Sequence, residues 1–430
     1  MSPTPVTFTS SSQPSSYTWE ATDEEVSARY GIPLDQVARF DLNTSPAPPE
    51  LAVRLLASHA FDRSISEYPP SDYRRLSVAA AARYGVESEE VLVGAGADEI
   101  LDLIAKAFLP PGGSAVIPTP SYAMYGVETA QRGATVRAVP RLGPSARFAM
   151  DVDEVRAAAR KADVVWLCSP NNPTALPEPD GAIEALLAGL LSDARTSGAG
   201  QGSGPAAGLA PVAPPGAATA SSSGRETASI PGNEIAPTPP STHNGRMPEP
   251  PIVVLDEAYA EFVGRSLVSL RASYPRLIVI RTASKAYALA GLRVGFALAR
   301  PEIISRLAPF RPPGSVAVPS VHIVTEALLD DGILTLNLDR VERERARLTV
   351  ALQDAGWSVG PSVTNFVLVD LGSAARAAGV AEELLRRGLV PRTFGPTHPL
   401  AHCLRITVRS EPENDRLIAA AREISLGDLE

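Results

Sequence analysis

The sequence predicts an α/β protein whose large domain has a mostly parallel sheet covered by helices on both faces. Short, almost entirely apolar runs recur along the chain, and helical patterns separate several of them. Strands that are buried on both faces are near-continuous apolar runs, and their alternation with helices indicates βαβ units. A change of pattern in the last third of the chain predicts an additional, smaller C-terminal α+β domain.

The predicted strands are apolar runs that each end in polar or turn-forming residues. They are "EVLVGAG", "GSAVIP", "DVVWLCSP", "PIVVLDEAY" and "RLIVIRT", at residues 90–96, 113–118, 163–170, 251–259 and 276–282. Between the first two, "DEILDLIAKAFL" predicts a helix over residues 98–109. Because ligands of open parallel sheets bind beyond the carboxyl ends of the strands, we expect the functional site at those ends.

The C-terminal third begins with a different kind of element. "ERERARLTVALQDAG" predicts a long amphipathic helix over residues 342–356. It is followed by "NFVLVDL", "AEELLRRG" and "CLRITV", a strand–helix–strand pattern that is typical of a small α+β domain.

These patterns predict three parts of the chain. Residues 1–60 form an N-terminal tail and arm, residues 61–310 the large domain, and residues 311–430 the small domain. A low-complexity insertion at 195–250, rich in Gly, Ala, Pro and Ser, interrupts the large domain. We expect disorder there, because such a segment buries too little apolar surface to offset its conformational entropy.

The composition argues against several classes of protein. Of the 430 residues, 44% are apolar and 20% charged, which is ordinary for a globular protein. A net charge of −9 disfavours nucleic-acid and anionic-membrane partners, which require clustered positive charge. Two cysteines and five scattered histidines predict neither a disulfide framework nor a metal site. The start "MSPTPVTFTSSSQPSSY" lacks a signal-peptide pattern, so we expect a cytoplasmic protein.

Three strand ends carry groups that each allow two interpretations. Gly94 and Gly96 form a tight turn before a helix at about Ala97, whose N–H groups can cradle a phosphate, although such turns are common. Tyr122, in "TPSYAMYG", can stack on a planar ligand or belong to the core. Asn172, in "CSPNNPTA", can donate an amide hydrogen bond or simply form a turn.

The last two strand ends carry sharper signals. Asp256 directly follows a buried run, where an unpaired carboxylate is costly and needs a cationic partner; Tyr259 brings a phenol to the same place. Hydroxyl and cationic groups follow the next strand: Thr282, Ser284, Lys285 and Arg293. Together these groups match what pyridoxal phosphate requires: a phosphate cradle, a stacking ring, a carboxylate for the ring nitrogen and an amine for the aldehyde.

Five motifs occur in one order between about residues 40 and 421: "GADE", "SPNNPT", "DEAY", "RTASKAYALAGLRVG" and "CLRITV". In this order the chain resembles the fold-type I pyridoxal-phosphate-dependent aminotransferases, and within them the histidinol-phosphate aminotransferase family. The resemblance implies that pyridoxal phosphate is the cofactor and that the enzyme is a transaminase.

The resemblance also implies a role for each cofactor-binding residue. Lys285 is the Schiff-base lysine that moves a proton, and Asp256 pairs with the pyridinium nitrogen. Asn172 and Tyr259 hydrogen-bond the 3-oxygen of the ring, on which Tyr122 stacks. The phosphate is held by the backbone of Ala97 and Asp98 together with the side chains of Thr282, Ser284 and Arg293.

Further roles concern the substrate and a second subunit. Tyr68, in "SEYPP", resembles the tyrosine that reaches the cofactor phosphate of the neighbouring subunit, which implies a homodimer. Arg405 resembles the arginine that clamps a carboxylate, a bidentate interaction suited to a guanidinium group. Arg392 stands where the family places an arginine for the substrate phosphate, and Asn43 lies in the segment that closes over the substrate.

Two positions depart from the family pattern. The segment at 43–46 reads "NTSP" where the family has "NENP", so a glutamate near the substrate is missing. Ala175 follows "PT" where the family has glycine. We expect the first change to bear on substrate choice and the second to be tolerated.

The implied reaction transfers an amino group between histidinol phosphate and 2-oxoglutarate, giving imidazole acetol phosphate and glutamate, a step of histidine biosynthesis. An aromatic amino-acid aminotransferase, in which Arg392 has no phosphate to bind, remains an alternative. So does a threonine-phosphate decarboxylase, which shares the fold and cofactor. A cofactor-binding regulator is disfavoured by the intact Lys285 and by the lack of a DNA-binding motif.

Overall fold

The computed structural model describes residues 20–199 and 249–424. The chain divides into two units: Met1–Leu191 together with Pro250–Glu430, and Ser192–Glu249. The first nineteen residues of the predicted tail and residues 200–248 of the insertion lie outside the described residues, so the disorder expected for the insertion stays a prediction. A helix continues to Ala199, past the predicted start of the insertion at residue 195.

Twelve strands are present in the described part of the chain. They are β1 (Ala38–Phe40), β2 (Val91–Gly94), β3 (Ser114–Thr119), β4 (Thr135–Pro140), β5 (Val164–Cys168), β6 (Ile252–Asp256), β7 (Leu277–Thr282), β8 (Gly295–Leu298), β9 (Ser358–Val359), β10 (Phe366–Asp370), β11 (Leu389–Pro391) and β12 (Cys403–Thr407).

The same residues form twelve α-helices. They are α1 (Asp23–Tyr30), α2 (Glu50–Ser58), α3 (Arg74–Tyr84), α4 (Gly96–Phe108), α5 (Met124–Gln131), α6 (Val152–Ala159), α7 (Ala182–Ala199), α8 (Pro301–Leu307), α9 (Val318–Leu329), α10 (Asp331–Asp354), α11 (Ala374–Leu385) and α12 (Glu411–Glu423). None of these helices in the described residues is long and apolar enough to cross a membrane.

The main sheet has the strand order β2-β8-β7-β6-β5-β3-β4. The pairs among β7, β6, β5, β3 and β4 are parallel, and β8 runs antiparallel to both of its neighbours. Successive residues of β6 alternate between two buried clusters: Val253 packs on one face of the sheet and Val254 on the other. The predicted mostly parallel sheet with helices on both faces is therefore confirmed.

Two smaller sheets involve strands of the C-terminal part of the chain, and one of them includes β1 from the N-terminal part. Strands β12, β10 and β9 form an antiparallel sheet, and β1 pairs in parallel with β11. Helices α10, α11 and α12 contribute apolar residues to a core shared with these strands. This region includes α+β structure as predicted, although the three-part division at residues 60 and 310 itself stays a prediction.

The structure departs from the predicted elements at the start of helix α10 and in strands that were not predicted, including β4 and β8. Helix α10 begins at Asp331, well before the predicted start at residue 342. Strand β4, which has mostly exposed residues at the sheet edge, carries no continuous apolar run and was not predicted. Strand β8 was also not predicted, because its four residues follow the glycine-rich segment around Arg293 too closely to stand out.

Candidate active site

The predicted site residues lie where the carboxyl ends of the parallel strands meet. Cys168 at the end of β5 is paired with Asp256 at the end of β6, which is paired with Ile280 on β7. This register brings the residues after β5, β6 and β7 to one edge of the sheet. The turn between β2 and α4 reaches the same edge through Gly295, which pairs with Gly94 on one side and Thr282 on the other.

Asp256 is a buried carboxylate on which the charge of Lys285 acts without forming an ion pair in the described part of the chain. Its Oδ2 accepts a hydrogen bond from the Tyr125 hydroxyl at 2.8 Å, and its Oδ1 accepts one from the Ala258 N–H at 2.9 Å. Within the described residues no Lys, Arg or His forms an ion pair with it. Burial raises its pKa to about 6, even though both hydrogen bonds act in the opposite direction.

Tyr125 is a site residue that the sequence analysis missed. Its ring stacks on Trp166 with a centroid separation of 5.6 Å and an interplanar angle of 3°, which fixes the direction of the hydroxyl. Tyr125 belongs to helix α5, and 131 residues separate it from Asp256. The available signal was weak: a tyrosine three positions after Tyr122, at the start of helix α5.

Lys285 is half-buried, and its amine donates one long hydrogen bond within the described residues. Its Nζ lies 3.4 Å from the Leu42 carbonyl oxygen, a long hydrogen bond. The pKa of the amine is lowered to about 8, chiefly by burial and then by the positive charge of Arg405, with a smaller contribution from Arg293. Arg405 therefore lowers the pKa of this amine more strongly than Arg293 does.

The start of helix α4 forms a concave backbone surface beside a guanidinium group. A Cβ at Gly96 would lie 2.5 Å from Arg293 Nη2, and one at Gly295 would lie 2.5 Å from the Gly96 carbonyl carbon. Only glycine fits at both positions, so the helix terminus packs directly on β8 and on the arginine. The N–H groups of Ala97 and Asp98 belong to the first helical turn, where helices have no carbonyl partner of their own.

Side chains complete this cradle. Arg293 Nη2 lies 3.0 Å from Asp98 Oδ2, while Asp98 Oδ1 accepts a hydrogen bond from the Tyr122 hydroxyl at 3.0 Å. The hydroxyl oxygens of Thr282 and Ser284 are 2.9 Å apart. The residues predicted to bind the phosphate therefore lie close together, and the Tyr122 hydroxyl is hydrogen-bonded to one of them, Asp98.

A second group of polar side chains connects Tyr259 with Asn43, and Arg405 with Asn172. The Tyr259 hydroxyl accepts a hydrogen bond from Asn43 Nδ2 at 2.9 Å, and burial raises the pKa of this phenol well above its usual value. Arg405 donates to Asn172 Oδ1 at 2.6 Å and to the Asp41 carbonyl oxygen. The structure therefore connects the predicted substrate arginine directly to the predicted cofactor asparagine.

Arg392 and Arg405 lie opposite each other across an antiparallel bridge and exchange two backbone hydrogen bonds of 3.0 Å. Residues that face each other in this way project to the same side. Both line a cleft of about 650 Å³, together with Tyr122, Asn172 and Glu20. Glu20, which the sequence analysis did not single out, lies with one carboxylate oxygen 3.5 Å from Arg392 Nη1.

Two predicted positions stand apart from this group. Tyr68 is 85% exposed in the single chain, so its predicted contact with a neighbouring subunit stays a prediction. Ala175 has a φ of 64°, a left-handed conformation that glycine adopts more readily, yet it is fully buried against Tyr259 and Phe366. The chain accommodates this alanine through buried apolar contacts.

The residues present fit pyridoxal phosphate. A buried carboxylate without a cation suits a protonated ring nitrogen, and the cradle of N–H groups, hydroxyls and Arg293 suits a phosphate. An amine whose pKa is lowered to about 8 suits attack on an aldehyde.

One cluster of potential metal ligands lies at the ends of β10 and β12. The ligand atoms of Asp370, His402 and Cys403 lie within 4.8 Å of one another. Asp370 Oδ1 already accepts the Gly372 N–H at 2.8 Å, and burial raises the pKa of the Cys403 thiol to about 12. The predicted absence of a metal site remains a prediction.

Comparison with known proteins agrees with this geometry. The sequence profile of the family described as aminotransferase class I and II matches residues 39–188 and 250–420, passing over the insertion. A histidinol-phosphate aminotransferase of Roseiflexus castenholzii is 31% identical over 411 residues, covering 94% of this chain and 93% of the relative.

Two solved structures show the same fold. The histidinol-phosphate aminotransferase of Sinorhizobium meliloti, in complex with pyridoxal-5'-phosphate, has a TM-score of 0.75 at 24% identity, covering 96% of each chain. The L-threonine-O-3-phosphate decarboxylase of Porphyromonas gingivalis has a TM-score of 0.64 at 21% identity, covering 89% of this chain and 98% of its own.

The fold is thus that of the fold-type I pyridoxal-phosphate enzymes. The chain belongs to the class I and II aminotransferase family. This membership confirms the predicted family, the predicted fold class and the prediction of a transaminase that uses pyridoxal phosphate.

Proposed function

We propose that this protein is a histidinol-phosphate aminotransferase that exchanges amino groups between histidinol phosphate and 2-oxoglutarate. One observation carries the chemistry: Asp256 is buried, forms no ion pair within the described residues, and lies at the sheet edge where the Lys285 amine has a lowered pKa. The substrate assignment is supported by the name of the Roseiflexus relative and by two arginines on one cleft.

The residues around the cofactor have separate tasks. Asp256 holds the proton on the ring nitrogen, and Tyr125 keeps that carboxylate in place. Asn172 and Tyr259 donate hydrogen bonds to the 3-oxygen. The first turn of α4, with Thr282, Ser284 and Arg293, binds the phosphate. When bound, pyridoxal phosphate supplies an aldehyde and an electron-withdrawing ring.

Proton transfer falls to Lys285. Its Nζ would take the proton from the substrate Cα and deliver it to the aldehyde carbon of the cofactor. A pKa of about 8 puts the amine close to the pH at which it can both accept and donate a proton efficiently. Tyr122, anchored on Asp98, covers one face of the site and limits the entry of water.

The substrate is held by the two arginines of the cleft. Arg405, oriented by Asn172 and the Asp41 carbonyl, binds the carboxylate of glutamate, and Arg392 receives the distal anionic group. The enzyme acts as a cytoplasmic homodimer in which Tyr68 of each chain completes the phosphate cradle of the other. The strong exposure of Tyr68 in the single chain supports this assignment.

A side-by-side assay tests the substrate assignment. The purified enzyme is supplied with histidinol phosphate, phenylalanine or threonine phosphate, with 2-oxoglutarate as amino acceptor. We expect the highest kcat/KM with histidinol phosphate. A preference for phenylalanine would identify an aromatic aminotransferase, and carbon dioxide release from threonine phosphate would identify the decarboxylase.

The role of Arg392 has its own test. Replacing it by alanine should raise KM for histidinol phosphate at least tenfold, because a charge-assisted bidentate contact is lost. The same change should alter KM for phenylpyruvate by much less. Equal effects on both substrates would contradict a phosphate role for Arg392.

A further inference from the structure

Glu20 occupies an unusual position in the substrate cleft. Its Oε1 accepts hydrogen bonds from the Thr393 N–H at 2.8 Å and from the Thr393 hydroxyl at 2.9 Å. The same oxygen lies 3.5 Å from Arg392 Nη1. The side chains of Glu20 and Arg392 are each only 16% exposed, and both residues line the cleft that Arg405 enters from the neighbouring strand.

This arrangement places an anion of the protein where an anion of the substrate has to bind. A carboxylate held by two neutral donors is fixed in position, and its charge offsets that of the arginine. A ligand whose distal group is anionic must therefore displace Glu20 or tolerate its negative charge. A ligand whose distal group is neutral meets neither cost.

We propose that Glu20 is a specificity-determining residue: a tethered carboxylate that competes with the substrate's distal anion for Arg392. This inference rests on the role of Arg392 in the proposed function. Glu20 lowers the affinity of the cleft for every ligand with a distal phosphate or carboxylate, and it leaves the affinity for aromatic ligands unchanged. It also keeps Arg392 compensated whenever the cleft is empty or holds a neutral side chain.

A competitor of this kind has a clear use in a two-step exchange reaction. Glutamate and histidinol phosphate must enter and leave the same cleft in turn, and each carries a distal anion. When Glu20 pairs with Arg392 again, it displaces the distal anion of the bound ligand, so that one ligand leaves before the next arrives. The same contact raises KM and prevents the cleft from being held by inorganic phosphate.

The first experiment measures binding rather than turnover. Inorganic phosphate is titrated by calorimetry into the holoenzyme, in which the cofactor's own phosphate already fills the cradle at α4. Glu20→Gln keeps an oxygen that accepts both Thr393 hydrogen bonds and removes the charge. We expect this variant to bind inorganic phosphate about 5-fold more tightly, since a partly exposed ion pair contributes up to about 1 kcal/mol.

The second experiment measures kinetics with matched ligands. In Glu20→Gln, KM should fall by a similar factor for histidinol phosphate and for glutamate, and should stay unchanged for phenylpyruvate. Glu24→Gln serves as the control, because it removes the same charge from an exposed position of the same segment and does not line the cleft. It should change none of these values.

Each contrary result has a specific meaning. An unchanged phosphate affinity in Glu20→Gln would show that Glu20 only anchors its segment to Thr393, and would overturn the inference. A raised KM for histidinol phosphate would show that Glu20 binds the substrate, for example its imidazole N–H, and would also overturn it.

Arg392→Ala separates this inference from the proposed function. If Arg392→Ala leaves phosphate binding intact, the assigned role of Arg392 fails, and the inference fails with it. If Arg392→Ala weakens phosphate binding while Glu20→Gln has no effect, only the inference about Glu20 fails. In the double variant, the effect of Glu20→Gln on phosphate affinity should disappear.

Discussion

Two groups of charged side chains lie at the ends of the same strands, and they differ in how their charges are compensated. The internal ion-pair network consists of Glu257, Arg281 and Glu261. Arg281 Nη1 lies 2.8 Å from Glu257 Oε2, and Arg281 Nη2 lies 2.6 Å from Glu261 Oε1. The Cζ atom of the same guanidinium group lies 4.7 Å from the centre of the Tyr84 ring. The carboxylates of Glu261 and Glu257 raise the pKa of Arg281 above its usual value.

We call Asp256 and Lys285 the open pair. In the sequence, Asp256 is adjacent to Glu257, and Lys285 lies four residues after Arg281. Asp256 has no cation at ion-pair distance in the described residues, and Lys285 has one long hydrogen bond. Their pKa values move toward neutrality, to about 6 and about 8, whereas Arg281 is held more firmly in its charged form.

The comparison separates charges that serve the fold from charges that serve the reaction. In a buried ion pair the two charges compensate each other, so the pair gains little from binding a charged ligand. A buried carboxylate that lacks a cation destabilises the empty protein and gains most when a cationic ring nitrogen binds. Since Asp256 and Glu257 are adjacent, alternation along an extended chain is enough to send one to each group.

The largest difference between the two groups should appear on removing Lys285. Lys285→Ala should lower kcat by about 10⁴-fold or more, because both the covalent and the proton-transfer roles are lost. At pH 7.5 its apoprotein should be at least as stable to urea as the wild type, since no ion pair is broken and a buried amine with a lowered pKa opposes folding while it is charged. Steady-state kinetics and urea denaturation of the apoprotein check both statements.

Lys106→Ala is the matched control for this prediction. Lys106 forms a surface pair with Asp102 four residues earlier in helix α4, at 2.6 Å. Its loss should change neither activity nor stability by a measurable factor. Residual transamination in Lys285→Ala at the wild-type rate would refute the assignment of the open pair.

Breaking the internal ion-pair network should have the opposite outcome. Arg281→Met leaves two buried carboxylates without a cation and should cost about 3–5 kcal/mol of unfolding free energy. The exposed pair of Arg265 with Asp180 provides the comparison. Arg265→Met should cost no more than about 1 kcal/mol. If the two variants had the same urea midpoint, the network could not be the stabilising element described above.

Neutralising Asp256 should stabilise the empty protein while impairing the enzyme. The folded pKa of about 6 lies above the ordinary aspartate value of 3.8, so ionisation opposes folding. This penalty is absent below about pH 4, grows as the pH rises to about 6, and is complete above that. Asp256→Asn apoprotein should therefore be more stable than wild-type apoprotein at pH 7.5, by about 3 kcal/mol.

Activity should move the other way in the same variant. Asp256→Asn should lower kcat by about 10²–10³-fold, because an electrostatic contact to the reacting system is removed. Denaturation at pH 4 and pH 7.5 gives the decisive measurement. A stability difference of the same size at both pH values would mean that packing, rather than ionisation, explains it.

The smallest effect should come from Tyr125. Tyr125→Phe keeps the ring on Trp166 and removes the hydrogen bond to Asp256, so cofactor affinity should weaken about tenfold. Tyr274→Phe removes a comparable buried hydrogen bond, to the Pro251 carbonyl at 2.8 Å, away from the site. Fluorescence titration with pyridoxal phosphate should show weakening in the first variant only.

The components of the site could be predicted from sequence because each follows its own strand. Asp256, Lys285 and Asn172 come directly after apolar runs, and parallel strands end at a common edge. The internal ion-pair network could not be predicted in this way. Arg281 lies within a run that looked wholly strand-like, and nothing local indicates that Glu257 and Glu261 turn toward it.

The partners of the site residues were equally hidden, because they are distant in the chain. Tyr125 and Asp256 are 131 residues apart, and Glu20 and Thr393 are 373 apart. For the same reason, neither the antiparallel direction of β8 nor the pairing of β1 with β11 could be predicted from the sequence. Such contacts depend on packing across the whole fold rather than on the pattern of any one segment.

The sequence by itself predicted the buried parallel strands of the main sheet, their order along the chain and the reactive groups at their ends, since apolar periodicity and glycine placement act locally. The tertiary structure alone decided which of those groups have a compensating charge. Compensation depends on distances of a few ångströms between segments that are far apart in the chain. For that reason the cofactor chemistry could be predicted from motifs, while the competition of Glu20 for Arg392 emerged only from the folded cleft.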